Sequence, residues 1–208
     1  VFCVARAGLV GADGKTHQGL LELSALRAIP NQRVFAPKDC AELSDIFDYV
    51  RSLGCPAAIR YPNGYAPNLG VRRRISDISL WETLSEGDGT VVLASGARAA
   101  VRALEAKKLC GREDVRIVNC RSVKPLDERM LEEIAGRKII TFEEGYAAGG
   151  FGSAVAEYYA GRAVPVRLKI MGAENVPVAH ASAEEQAASL RLTAKDLALK
   201  IAAFSEQN

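Results

Sequence analysis

Between Gly8 and Gly19 the chain reads Gly-Leu-Val-Gly-Ala-Asp-Gly-Lys-Thr-His-Gln-Gly, which places a carboxylate, Asp13, and an imidazole, His17, four residues apart in a glycine-rich loop. An imidazole titrates near neutrality, so His17 is a candidate proton-transfer group and Asp13 a carboxylate placed to work beside it. The glycines allow positive φ and let a ligand approach the backbone closely. Arg6 and Arg60 each directly follow a short apolar run that reads as a strand, Val1 to Val4 and Ala57 to Ile59. Ligands of open parallel sheets bind outside the carboxyl ends of the strands, and a guanidinium there offers a planar fork to a phosphate or a carboxylate. Taken singly, these residues read as a loop histidine satisfied by a carbonyl and two surface charges. Their grouping around one loop is what makes a candidate site.

Other segments carry weaker chemistry. Gly149-Gly150-Phe151-Gly152-Ser153 opens a helix after a strand, as a phosphate-binding turn does, but Val155 stands where the dinucleotide fingerprint needs a small residue. A tight turn with close helix packing is the better reading. Glu143 and Glu144 are adjacent on a strand and therefore point to opposite faces, so they do not share one site. His180, just before a helix start, reads as a capping or interface residue. Cys3, Cys40, Cys55, Cys110 and Cys120 show no C-x-x-C spacing, and with only two histidines they assemble no zinc set. They read as reduced, buried thiols of a cytoplasmic protein.

These residues need elements to hold them. Apolar β-branched runs alternate with helical patterns, the rhythm of an α/β protein with mostly parallel sheets. A strand at Arg33 to Phe35, a helix opened by Asp39 with apolar positions Leu43, Ile46, Phe47, Val50 and Leu53, and a strand at Ala57 to Ile59 form a right-handed βαβ unit. The pattern dissolves from Tyr61 to Ser76, which carries the triplet Arg72-Arg73-Arg74 and reads as a solvated linker. Strands are then expected at Thr90 to Ala94, Val115 to Asn119, Lys138 to Phe142 and Val166 to Met171. Helices are expected at Ala97 to Leu109, Asp127 to Ala135 and Phe151 to Ala160, and capping boxes open two more at Ser182 and Thr193. The expected division is an incomplete α/β unit over 1–68, a linker over 69–78 and a self-sufficient unit over 79–208. The first unit is too small to cover its sheet and must lean on something outside the chain. Because Val1 already reads as the middle of a buried strand, the sequence is read as a fragment.

The 208 residues, 49% hydrophobic and 25% charged, exclude a disordered or collagenous chain, and the apolar runs fall short of the roughly 20 residues that cross a bilayer. A net charge of +2 carries no nucleic-acid signature.

With these residues laid out, the chain resembles the carboxyl-terminal third of the 1-deoxy-D-xylulose-5-phosphate synthase family, within the transketolase superfamily. The resemblance rests on Arg6 to Gly14, Thr16 to Gly19, Leu26-Arg27, Ile29-Pro30-Asn31, Ala36-Pro37 and Ile59-Arg60-Tyr61-Pro62. It continues with Val123 to Asp127, Glu143-Glu144 and Gly149 to Ser153, so it covers nearly the whole chain. It departs from the family pattern at Ala5, Lys15, Leu21-Glu22 and Asn63. The resemblance implies half of a pyrimidine-binding domain plus a three-layer α/β/α carboxyl-terminal domain. It also implies a homodimeric transferase using thiamine diphosphate and Mg2+, which condenses pyruvate with glyceraldehyde 3-phosphate, releases carbon dioxide and serves isoprenoid, thiamine and pyridoxal synthesis. By the same resemblance Arg6 and Arg60 would hold the acceptor phosphate, His17 would shuttle protons at the substrate oxygens, and Asp13 would hold the acceptor hydroxyl or orient His17. The cofactor and metal ligands and the catalytic glutamate would lie upstream of Val1, in the amino-terminal part of the same enzyme, so this piece alone would be inactive. The alternatives are a transketolase-like enzyme with another sugar-phosphate acceptor, or a non-catalytic dimerising or regulatory subunit.

Overall fold

Strands form where short β-branched runs can be buried on both faces, and helices where apolar residues recur at three and four, in a computed structural model that describes residues 1–11, 13–64, 68–69 and 77–207. The first half contains β1 (Phe2–Val4), α1 (Glu22–Ala28), β2 (Arg33–Phe35), α2 (Cys40–Arg51) and β3 (Ala57–Arg60). The Asp39 side chain accepts from Glu42 N at 2.8 Å and starts α2. The Glu42 carboxylate accepts from Lys38 N at 2.6 Å. Ile46 and Val50 pack on Phe35, Ala57 and Ile59, whereas Phe47, expected on the same face, is exposed. Both β1 and β2 run parallel to β3. β1 is the edge of the sheet, and Phe2 is exposed rather than buried as its apolar run predicts.

The second half contains β4 (Glu82–Ser85), β5 (Val91–Ser95), α3 (Ala97–Cys110), β6 (Arg116–Asn119), β7 (Ser122–Lys124), α4 (Glu128–Glu133) and β8 (Lys138–Tyr146), then α5 (Phe151–Gly161), β9 (Arg167–Ala173), α6 (Ala183–Ser189) and α7 (Ala194–Ser205). Five strands form one sheet in the order β4-β6-β5-β8-β9, parallel except for β4. Successive residues alternate between two cores. Val92, Ala94, Ile117, Ile140 and Phe142 face α3, α6 and α7, while Val91, Leu93, Val118 and Ile139 face α4, α5 and α1. This is the three-layer arrangement expected of a sheet buried on both sides. The Ser182 and Thr193 capping boxes are both formed.

The two halves exchange structure. β7 leaves the second sheet and pairs antiparallel with β2, giving the first sheet the order β1-β3-β2-β7. Leu23, Val34 and Ala36 from the first half pack with Trp81, Leu93 and Phe151 from the second. The first half therefore leans on the second, inside this chain, where an outside partner is expected from sequence. Lys124 on β7 reinforces the seam: its Nζ donates to the carbonyls of Arg27 and Ile29 at 2.8 and 2.6 Å and so serves the carboxyl end of α1. Arg72 to Arg74 lie outside the described residues, as does most of the expected linker. All five cysteines are free, and only Cys120 is buried; Cys3 and Cys40 are exposed where burial is expected.

Candidate functional site

The glycine-rich loop joins β1 to α1, and the second half of the chain holds it in place. Its two ends meet in a miniature ladder, Gly8 N to Gly19 O at 2.6 Å and Gly19 N to Gly8 O at 2.8 Å. A Cβ on Gly19 would overlap the Arg6 carbonyl oxygen, and one on Gly8, at φ +83°, would overlap the Glu144 carboxylate. Leu9 and Leu20 enter the core formed by α3, α6 and α7, whereas Leu23 enters the core on the other face of the same sheet. The loop thus straddles the carboxyl edge of the second sheet. Further bonds fix its path: Leu9 N to Glu144 Oε2 at 3.2 Å, Arg98 Nη1 to Leu9 O at 2.5 Å, and Gly11 N to Gln186 Oε1 at 3.0 Å. Gln18 closes the tip, accepting from Val10 N at 2.8 Å and donating to Gly14 O at 3.0 Å. Gly19→Ala is expected to cost about 1–3 kcal/mol through overpacking against backbone that cannot yield. Urea unfolding tests this; an unchanged midpoint shows that the ends of the loop are not in this close approach.

At the tip, Asp13 and His17 are exposed, as sequence reasoning needs for groups that meet a substrate. Arg6, at φ +62°, donates from Nη1 to Asp13 Oδ2 at 2.5 Å. Both partners are well exposed, so this pair adds little to stability and can exchange for an external anion. His17 does not bond to Asp13. Its Nδ1 lies 3.0 Å from Thr16 Oγ1, and Nε2 has no partner among the described residues. Thr16 is therefore a companion of His17, not the cap of α1 that its position allows; α1 starts from Leu21 with no side-chain cap.

Arg60 departs from the paired-clamp expectation. It is the last residue of β3, next to Val4 of β1, so the backbones of the two strand ends do lie side by side. The guanidiniums diverge. Arg60 is only 4% exposed, and its Nε donates to Glu22 Oε1 at 2.9 Å while Nη2 reaches the carbonyl of Glu144 at 2.8 Å and that of Gly19 at 3.3 Å. Its charge is committed to Glu22 within the fold, which leaves Arg6 as the accessible guanidinium of the rim. Arg60→Ala is expected to destabilise the chain by about 2–4 kcal/mol, since a mostly buried Glu22 loses its countercharge. Thermal unfolding checks this, and an unchanged Tm would restore Arg60 as a free binding group.

Glu143 and Glu144 point to opposite faces, as their adjacency requires. The Glu143 carboxylate accepts from Phe151 N at 2.9 Å and Gly152 N at 2.8 Å, so the glycine-rich turn at α5 holds a side chain of its own chain. Burial pushes this carboxyl up to about 7, although the two amides and then Arg60 and Arg27 pull it down. Glu144 binds Leu9 N, Arg98 and, in a short contact, Arg102. A second buried carboxylate joins the halves elsewhere: Glu42 on α2 accepts from Asn119 Nδ2 at 2.9 Å and from Arg121 Nε at 2.6 Å. Sequence reasoning missed Arg98, Arg102, Arg121 and Gln186. Arg98 and Arg102 stand one helical turn apart at the start of α3, the only trace of their shared partner in the sequence. His180 is exposed. No group of three or more His, Cys, Asp or Glu among the described residues could hold a metal ion, and none of the described helices is long and apolar enough to cross a membrane.

A five-stranded three-layer domain, a parallel half-domain sharing a strand with it, and a glycine loop clamped at the sheet edge between them define an α/β protein of transketolase type. The chain belongs to the transketolase family: the domain described as "Transketolase, pyrimidine binding domain" matches residues 1–67 and "Transketolase, C-terminal domain" matches residues 80–197. Within it, the chain is similar to curated 1-deoxy-D-xylulose-5-phosphate synthases. The protein from Halalkalibacterium halodurans is 39% identical over 204 residues, covering 95% of this chain and 32% of the relative. That from Aquifex aeolicus is 41% identical over 186 residues, covering 86% of this chain and 29% of the relative. The chain therefore spans about a third of the length of these relatives. A solved structure described as "Split gene transketolase, inactive beta4 tetramer" superposes with a TM-score of 0.84 at 28% identity, covering 99% of this chain and 67% of that one.

Proposed function

We propose that this chain is the substrate-loop and carboxyl-terminal part of a 1-deoxy-D-xylulose-5-phosphate synthase, a thiamine-diphosphate enzyme that condenses pyruvate with glyceraldehyde 3-phosphate and releases carbon dioxide. The observation that carries the reading is the loop itself. Arg6, Asp13 and His17 stand exposed at one tip while the buried Glu144 and Gln186 side chains hold the base of the loop behind it. Identity of about 40% to named synthases over most of the chain supports the particular reaction. The described side chains offer no cluster of three or more His, Cys, Asp or Glu that could hold a metal ion, so they do not fit the magnesium.

In this reading Arg6 exchanges Asp13 for the phosphate of the acceptor, a trade of one charge-assisted bond for another. The released Asp13 accepts from an acceptor hydroxyl. His17, anchored by Thr16 at Nδ1, moves a proton at Nε2. In the complete enzyme, His17→Ala is expected to lower kcat by about 10²–10⁴-fold with little change in Tm, since the ring is exposed. Arg6→Ala is expected to raise KM for the phosphorylated acceptor about tenfold or more, with pyruvate unaffected. Steady-state kinetics with each substrate varied decides both, and equal effects on the two substrates would count against the phosphate role.

One observation favours a second reading. The split-gene structure matches 99% of this chain with two thirds of its own length, so in this second reading the chain is most of a separate subunit whose partner carries the remainder. Calorimetry on residues 1–208 separates these readings from a self-sufficient enzyme: no thiamine-diphosphate binding is expected, and tight metal-dependent binding would overturn both.

A further inference from the structure

β9 closes one side of the second sheet: it runs parallel to β8, and no described strand pairs with its other edge. A strand bonded on one side only turns the N–H and C=O of alternate residues outward. Among the described residues, no loop backbone or side chain bonds to the backbone of Arg167 through Gly172, so these outward groups are open to an incoming chain. Beside this edge, between β9 and α7, lies a groove of about 340 Å³ lined by Ile170, Met171, Leu190, Leu192, Leu199 and Ala203. Ile170 is 37% exposed and Leu199 is 63% exposed, so apolar surface remains there to be covered.

We propose that this edge and groove form a docking site for an extended acidic segment of another protein, which adds to β9 as a further strand of the sheet. Main-chain bonds to the open edge supply affinity in such a mode, and alternate side chains supply specificity. The charge of the rim selects the partner. Arg167, Lys169, Arg191 and Lys200 are exposed and make no hydrogen bond or ion pair with a described residue. Asp196 is the one acid in the lining, and its carboxylate is taken up by Thr193 N at 3.1 Å in the capping box of α7. Cations without a countercharge beside a row of open backbone groups favour a strand that brings carboxylates.

The alternation of β9 sets the side-chain pattern of the added strand. Leu168 and Ile170 face α5, where Ile170 lies against Gly152, whereas Arg167 and Lys169 share the α7 side with Met171. A strand in register therefore places apolar residues against Leu168 and Ile170 and acidic residues against Arg167 and Lys169, an acidic and β-branched alternation. A second copy of this chain fits poorly. Antiparallel pairing of β9 with its own copy keeps the two α7 sides together and brings Arg167 and Lys169 up against the same residues of the other copy, like charges that repel across a ladder. None of these residues belongs to the loop site, so the inference stands apart from the reaction proposed above.

Fluorescence anisotropy with short labelled peptides and the whole chain tests the site. A peptide alternating Glu and Val is expected to bind saturably and about tenfold or more tightly than one alternating Lys and Val, or one alternating Glu and Pro, which carries the same charge but cannot donate to a ladder. Amide hydrogen exchange of β9 is expected to slow when the Glu and Val peptide is bound. Lys169→Glu, at an exposed position, is expected to weaken that peptide about tenfold and to strengthen the Lys and Val one. Equal binding of the Glu and Pro peptide shows attraction of a polyanion without strand addition and overturns the proposal. An absence of saturable binding, unchanged exchange in β9, or the same affinity in Lys169→Glu overturns it too. A dimer of the free chain in sedimentation that dissociates on Ile170→Lys assigns the edge to a second copy, which also overturns it.

Discussion

Replacing Glu144 by Ala is expected to lower stability by about 3–5 kcal/mol, because it leaves the buried Arg102 guanidinium with only the exposed Glu184 as countercharge. The two side chains are 6% and 7% exposed, so water cannot take over the lost partner. The same change frees Leu9 N and releases Arg98 from one of its acceptors, so the loop carrying Asp13 and His17 loses its inner clamp. Urea unfolding measures the stability loss. The double variant Glu144→Leu with Arg102→Met separates charge from shape: apolar side chains of similar volume often match or exceed a buried pair, so most of the loss is expected back. A double variant as unstable as the single one would show that the loop contacts, not the ion pair, carry the effect. In the complete enzyme the repaired protein should remain slow by about 10²-fold, since Leu9 N stays unpaired and small displacements of positioned groups are costly to rate.

That expectation follows from how the site is built. A mobile loop would be a poor place for Asp13 and His17, and the chain solves this by driving Leu9 and Leu20 into one core of the second domain and Leu23 into the other. The function proposed for the loop tip and the rigidity of its base are compatible because different residues supply them. Glu42 plays the corresponding part on the far side of the seam, where Asn119 and Arg121 come to it. The first half therefore meets the second through two buried carboxylates, one donated by each.

Much of this was legible in the amino-acid order, and what was not has a common cause. The parallel strands β5 and β8 announce themselves as unbroken apolar runs, and Ser182 with Glu185 and Thr193 with Asp196 mark helix starts by purely local chemistry. β7 escapes because three residues are too few for periodicity and its partner, β2, lies about ninety positions earlier. β4 escapes because Glu82 and Thr83 read as polar loop, although an edge strand needs no continuous apolar face. The direction of a long side chain is equally invisible. Arg6 and Arg60 occupy matching strand ends, yet one turns to exposed Asp13 and the other inward to Glu22. Adjacency on one strand turns Glu144 away from Glu143, but its partners on α3 lie more than forty residues away.

Glu143 gives the second large effect, one that appears only against pH. Its carboxyl is completely buried, and burial outweighs the Phe151 and Gly152 amides and the Arg60 and Arg27 charges, raising it from its ordinary 4.5 to about 7. The folded chain thus keeps the proton longer than the unfolded chain. Between pH 4.5 and 7 the unfolded state ionises first, so stability from this group falls as pH rises; it is fully present below 4.5 and lost above 7. The span corresponds to about 3 kcal/mol. Glu143→Gln has no proton to lose, so the variant should gain on the wild type progressively from pH 4.5 to 8 by about that amount, apart from an offset constant in pH. Contributions from groups common to both proteins cancel in the difference. Parallel stability profiles would mean that Glu143 ionises normally, with the two α5 amides and the arginines outweighing its burial. A difference that grows toward high pH instead identifies the junction between α5 and α1 as held by a neutral carboxyl group, strongest in mild acid.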